Sequence, residues 1–194
     1  ICNRTEMSKS KVSQYLKNLR ELHIVEKELP ITQNKESRNA LYKLTDNYYD
    51  FWFEFIYPNQ SMLEEGKVEK VLDIEREKLL RHVSFVFEQV CREYLSKEWN
   101  EVGRWWGKGE EIDVVGLDKD KKRMILGECK WSKNKVGIDL FYDLKRKSEK
   151  VRWNNEDREE EYILFSKSGF EKKFDQINEE VKLIDIEDLK KAFH

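Results

Sequence analysis

Apolar residues at the start of the chain recur at two different periods. Val12, Tyr15, Leu16, Leu19 and Leu22 fall three or four positions apart, the repeat of a helix with one buried face. Ser8 or Ser10 stands where such a helix needs a capping hydroxyl. Residues 1–4 read as the end of a preceding helix, and Thr5-Glu6-Met7 as the turn between the two. The pattern then changes to short strands at residues 24–29 and 40–44, separated by Pro30 and a polar tip. The aromatic run from Tyr48 to Tyr57 has helical spacing, and its Tyr48, Trp52, Phe55 and Ile56 are expected to form a packing face. Pro58-Asn59 ends it, and the polar stretch that follows, with Gly66, reads as a linker. Leu79, Val83, Val86, Val90 and Tyr94 mark a long helix over residues 73–95. Strand-like runs follow at 102–106, 111–117 and 123–131, the last two joined by the polar turn at residues 118–122. A helix at 140–153, a strand at 162–166, a weak helix at 170–180, a strand at 181–186 and a helix at 187–193 complete the chain. The predicted architecture is α+β or α/β: residues 1–60 as one small domain, 61–74 as a linker, and 75–194 as a second domain whose mixed central sheet is flanked by helices.

Helix, short turn, helix and strand hairpin together resemble a winged helix. In that motif the second helix lies in the major groove. Here it carries Lys9, Lys11, Ser13, Gln14, Lys17 and Arg20, side chains suited to phosphates and base edges, while Lys35 and Arg38 on the wing can add phosphate contacts. The competing reading is a solvated helix face on a small dimerisation domain, which keeps a homo-oligomer in view.

Composition narrows the classes. Of the 194 residues 39% are charged, yet 37 basic and 39 acidic residues leave a net charge of −2. A uniformly basic nucleic-acid coat is excluded, so any such binding requires a local patch. The 12% aromatic content excludes a disordered chain. No apolar run approaches the roughly 18 residues of a membrane span, and the three dispersed cysteines argue against a disulfide scaffold. A reducing, cytoplasmic setting is expected. No Gly-x-x-x-x-Gly-Lys-Ser/Thr loop occurs, so nucleotide hydrolysis cannot be argued from these residues. Helix-like sequence starts at once from Ile1, as expected of a fragment of a longer chain.

The chemistry concentrates at Gly127-Glu128-Cys129-Lys130-Trp131. On a strand, Glu128 and Lys130 project together, on the same face as Leu126. Charges inside an apolar strand require partners or a task. The neighbouring strand of the hairpin offers Asp113, again alone among apolar residues, and the hairpin can bring it close to Glu128. Two such carboxylates repel unless a cation lies between them, and a hard divalent ion with oxygen ligands, magnesium or manganese, answers that need. Lys130 can then position an attacking water and offset charge in a phosphorane-like transition state. Glu88 borders the apolar face of the long helix and is a third candidate ligand. A bare Glu-x-Lys carries little information, since Glu65-Gly66-Lys67 and Glu171-Lys172-Lys173 match it as surface. Lys145, Arg146 and Lys147 follow the site and can grip a phosphate backbone, or can be a solvated face balanced by nearby acids.

Glu88, Asp113 and Glu128-Cys129-Lys130, set in the order helix, three strands, helix, strand, resemble the PD-(D/E)XK nuclease superfamily over residues 75–186. One departure is Ile112, where that pattern has proline before the aspartate. The resemblance implies a restriction-endonuclease-like fold, metal ligation by Asp113, Glu128 and Glu88, and Lys130 as catalytic lysine. Asp46-Asn47-Tyr48-Tyr49-Asp50-Phe51-Trp52-Phe53, Tyr57-Pro58-Asn59 and Gly127-Glu128-Cys129-Lys130-Trp131 further resemble the C-terminal part of archaeal and bacterial AAA-type ATPases. That implies an N-terminal ATPase domain as partner, with ATP bound only there. Three functions remain open at this point: a magnesium-dependent deoxyribonuclease guided by a winged helix, a catalytically silent DNA-binding or oligomerisation module, and a structural cluster in which Lys130 neutralises Asp113 and Glu128.

Overall fold

The computed structural model describes residues 2–34, 36, 37 and 39–193. The chain forms two compact units: residues 1–29 with 37–79, and residues 30–36 with 80–194.

In the first unit, α1 (Cys2–Thr5) and α2 (Lys9–Glu21) make the helix-turn-helix. Ser8 caps α2, its hydroxyl accepting from the Lys11 N–H at 3.3 Å. The hairpin of β1 (Val25–Glu28) and β2 (Leu41–Leu44) is antiparallel, with Val25 opposite Leu44. Asp46 caps α3 (Asn47–Phe51) through the Tyr48 N–H. The aromatic run keeps the predicted face at Phe55, which is buried, and at Trp52 and Ile56, which are half-buried, but not at Tyr48, which is 61% exposed. A π-helical turn follows over Trp52–Ile56 and shifts the helical phase beyond it by one residue. The side chain of Asn59, itself buried, donates to the Phe55 carbonyl at 2.9 Å and to Glu75 at 3.3 Å just beyond that turn. The stretch at 61–74 is helical, within α4 (Gln60–Glu64) and α5 (Val68–Leu95). Lys and Glu are good helix formers, and Gly66 at φ +75° marks only the turn between the two helices.

The second unit is a five-stranded mixed sheet in the order β3 (Glu101–Gly107), β4 (Glu110–Asp118), β5 (Arg123–Lys130), β6 (Glu159–Ser166), β7 (Lys182–Asp185). The first three strands are an antiparallel meander. The β3–β4 turn places Lys108 and Gly109 at φ +53° and +80°, the two left-handed positions of a tight hairpin turn. β6 joins β5 in parallel, after a crossover through α6 (Asp139–Ser148), and β7 joins β6 in parallel. Helix α7 (Ile186–Phe193) ends the unit. Of the predicted helix at 170–180 only a 3₁₀ turn at Lys172–Gln176 forms. One core lies on the α6 side, with Ile112, Val115, Met124, Leu126, Phe141 and Leu144. The other lies on the α5 and α7 side, with Phe87, Cys91, Val114, Ile125, Cys129 and Leu189.

α6 stops at Ser148, short of the predicted 153, because Arg158 collects the carbonyls beyond it. Its guanidinium donates to Ser148, Val151 and Trp153 oxygens at 2.8–3.0 Å and pairs with Glu160. That side chain is 4% exposed. No helix among the described residues is long and apolar enough to cross a membrane.

Candidate active site

The centre is built around a fault in the β3–β4 ladder. Gly103 stands opposite Val115, but Trp105 stands opposite Ile112. Asp113 and Val114 therefore share the single partner Arg104, which is a β-bulge. Its effect is visible in the packing: Ile112 and Val115 both enter the α6-side core, and Val114 enters the other. Asp113 is thereby turned toward β5, where one carboxylate oxygen accepts the Cys129 N–H at 3.0 Å. The backbone carbonyl of Asp113 accepts from Arg92 of α5 at 2.9 Å. The β4–β5 ladder ends at Val114 opposite Gly127, so the next positions along it are Asp113 and Glu128.

Glu128 is 2% exposed. Lys147 of α6 donates to Oε1 at 2.7 Å, and the Lys130 ammonium lies 3.8 Å from Oε2. Burial, with the Asp113 charge added, pushes the Glu128 carboxyl up to about 7, even against Lys147 and Lys130. Burial works against the Lys147 ammonium, but the Glu128 and Asp143 carboxylates outweigh it and hold its pKa above the usual lysine value. The Lys130 side chain is 46% exposed, so its head is open to solvent.

Glu88 on α5 reaches the same region from the other side of the sheet. Burial first, and the Asp113 charge next, push it up to about 7, against the pull of Arg104 and Arg92. Arg92 lies 3.6 Å away and Arg104 4.0 Å. Neither distance is a hydrogen bond, and Glu88 Oε2 is buried without a hydrogen-bond partner. Among the described residues, single oxygens of Glu88, Asp113 and Glu128 do not all fall within 4.8 Å of one another. Asp113 and Glu128 are neighbours by their ladder positions, and Glu88 lies among arginines.

This donor set suits a hard divalent cation. It has two neighbouring carboxylates, one with an oxygen unused by any hydrogen bond, a third carboxylate with an orphaned oxygen, and protonation equilibria displaced by burial and, after it, by the Asp113 charge. The Cys129 thiol is not part of it. It packs with Cys91 in the apolar cluster, and burial, reinforced by Cys91, holds it well above the usual thiol range.

The other predicted site residues divide. Lys9, Lys11, Ser13, Gln14, Lys17 and Arg20 are all exposed on α2, as a groove-reading helix requires; among the described residues Lys17 makes a solvent-exposed pair with Glu21 at 3.8 Å. Lys35 and Arg38 lie outside the described residues. The α6 triplet is not an open phosphate grip: Lys145 pairs with Glu179, Arg146 with Glu110 and Asp143, and Lys147 with Glu128. Sequence reasoning missed Lys147, Arg92 and Arg104 as part of the centre. The Glu88–Arg92 spacing of four on a helix was the available signal.

Residues 52–150 match a family described as archaeal and bacterial proteins of unknown function. The matched segment contains Glu88, Asp113, Glu128, Lys130 and Lys147. Residues 1–27 match the arsR family of bacterial regulatory proteins. An uncharacterized protein of Methanocaldococcus jannaschii is 34% identical over 192 aligned residues, which cover 92% of this chain and 42% of that relative. The chain spans about two-fifths of the length of the relative it matches.

Proposed function

The chain belongs to the archaeal and bacterial family of unknown function matched by residues 52–150, and within that family we propose that its second unit is a divalent-cation-dependent deoxyribonuclease centre served by a DNA-binding winged helix. One observation carries the reading: a bulge places Asp113 beside Glu128 at the end of a buried ladder, where the solvent-open ammonium of Lys130 also stands. Asp113 and Glu128 would hold magnesium or manganese, with Glu88 behind them. When bound, such an ion would supply Lewis-acid polarisation of a phosphoryl oxygen and would lower the pKa of a water on it. The chain's own groups do the rest. The Cys129 N–H orients Asp113, Lys147 holds Glu128 in place and opposes the rise of its pKa, and Lys130 orients the attacking water and offsets charge growing on the phosphoryl oxygens. The helix-turn-helix with its exposed α2 side chains, and the arsR-family match, support DNA as partner. The length of the relative is compatible with an AAA-type ATPase domain, and ATP, elsewhere in the whole protein.

A second reading has its own support. Lys147 at 2.7 Å on Glu128 and two arginines around Glu88 already supply opposite charge, as a catalytically silent ion-pair cluster would.

Nicking of supercoiled or branched DNA by the purified chain in magnesium or manganese separates the two. Wild type is expected to nick, and Asp113→Ala and Lys130→Ala to abolish nicking while circular dichroism stays unchanged. Nicking that survives both substitutions, or a folded wild type that neither nicks nor binds manganese, rejects the nuclease reading. In parallel, Lys11→Glu with Lys17→Glu should weaken DNA binding and flatten its salt dependence.

A further inference from the structure

The α6 side chains first suited to a phosphate backbone are tied to carboxylates, so the second unit must present another surface if it holds a strand. Beyond the C-terminal ends of β5 and β6, two loops are stitched into one platform. Lys167 N–H donates to the Lys130 carbonyl at 3.0 Å, Val136 N–H to the Gly169 carbonyl at 2.9 Å, and Glu171 N–H to the Val136 carbonyl at 3.0 Å. Ser168 Oγ donates to the Ser132 carbonyl at 2.6 Å, and Ser132 Oγ to that of Asn134 at 2.8 Å. Trp131 anchors the platform, its ring 5.2 Å from that of Phe87, with the Lys167 ammonium 4.6 Å from its centroid. A platform joined by this many bonds holds its side chains in place before any ligand arrives.

Four lysines stand on it: Lys130, Lys133, Lys135 and Lys167. Lys133 and Lys135 are exposed and Lys167 half-buried. Among the described residues, none of these last three pairs with a carboxylate. The contrast with α6 is physical. Charge already neutralised by a neighbouring acid displaces no counterions from a nucleic acid, whereas unpaired lysines do. The platform also lies at the carboxyl ends of adjacent parallel strands, where open sheets bind ligands. All four groups are point-charge ammoniums with no arginine fork among them. That suits single, sequence-independent phosphate contacts more than paired recognition of carboxylates.

We infer that the joined loops at residues 131–136 and 166–170 hold the sugar–phosphate backbone of a nucleic-acid strand, with Lys133, Lys135 and Lys167 as phosphate ligands leading to Lys130. The direction of the strand toward Asp113 and Glu128 rests on the nuclease reading; the binding surface itself does not.

The test measures fluorescence anisotropy of a labelled duplex, and of one of its strands alone, in EDTA across a salt series. It uses the full chain carrying Lys11→Glu and Lys17→Glu, so that α2 is silenced. Adding Lys133→Gln and Lys135→Gln should weaken binding about tenfold at low salt and reduce the slope of log K against log salt by about 1.5, since each of the two phosphates no longer neutralised accounts for roughly 0.7–0.9. Lys167→Gln should add to both. Lys190→Gln, on an α7 lysine already paired with Glu187, is the charge control and should change neither. Unchanged affinity and slope in the double variant, an equal loss in the control, no binding by the silenced parent, or equal displacement of DNA by polyglutamate would each overturn the inference. Lysine-dependent binding without any cleavage would leave the platform standing and remove the nuclease reading instead.

Discussion

Glu88→Gln should make the protein more stable, and only above acid pH. In the folded chain the Glu88 carboxyl titrates near 7, against 4.5 when unfolded. Between those values the folded state binds the proton and the unfolded state does not, so stability falls as pH rises from about 4.5 to about 7. Above pH 7 the ionised, buried carboxylate opposes folding by about 3 kcal/mol, at 1.36 kcal/mol for each pH unit of displacement. Glutamine imitates the protonated acid and removes that penalty. With the side chain 18% exposed and able to relax, the expected gain at pH 8 is about 1–3 kcal/mol, falling to zero near pH 4. The assay is guanidinium unfolding in EDTA at pH 5 and pH 8, followed by tryptophan fluorescence. Five of the six tryptophans (Trp99, Trp105, Trp106, Trp131 and Trp153) lie in the second unit, so the signal reports the unit that holds Glu88. A variant no more stable than wild type at pH 8, or one whose advantage grows toward pH 4, refutes the reasoning.

Two further expectations concern the frame around the centre. Arg158→Ala removes the guanidinium from the Ser148, Val151 and Trp153 carbonyls and from Glu160, leaving, among the described residues, Val151 only the Asn155 amide and Glu160 only the Ser148 and Tyr162 hydroxyls, so it should destabilise the chain by about 2–4 kcal/mol in the same assay; an effect under 0.5 kcal/mol would show that α6 ends for another reason. Gly127→Ala brings a methyl group within 2.7 Å of Ile163 Cγ2 and 3.1 Å of its carbonyl oxygen, and this overpacking should cost about 1–3 kcal/mol, whereas a neutral result would mean that β5 and β6 can separate freely next to Glu128.

Periodicity made most of the second unit legible. Each strand that carries the centre, and the helix before them, could be placed within a few residues, because apolar spacing depends only on which face is buried. The bulge could not be placed. Ile112, Val114, Val115 and Leu117 are all apolar, so the run suits either phase of a strand buried on both faces, and the fault shows only in the pairing with β3. Lys147 was legible as a basic residue on a helix but not as the partner of Glu128, because that pairing depends on how the crossover lays α6 against β5. In the aromatic run, spacing found Trp52, Phe55 and Ile56 as the less exposed side, but rules that assume 3.6 residues per turn cannot anticipate the π-helical turn over Trp52–Ile56.

The chain enters the second unit twice, first at residues 30–36 and again after residue 79. On the first visit Ile31 donates its N–H to the Arg104 carbonyl at 2.8 Å and packs over Gly103, on the outermost strand. A truncation that begins at residue 80 would therefore remove a piece of the very unit it was meant to isolate. It would leave the border of the sheet with an unsatisfied acceptor and a bare apolar patch, the combination that invites strands of other molecules to pair there. Clumping of such a fragment would report an incomplete excision rather than an intrinsically unstable domain.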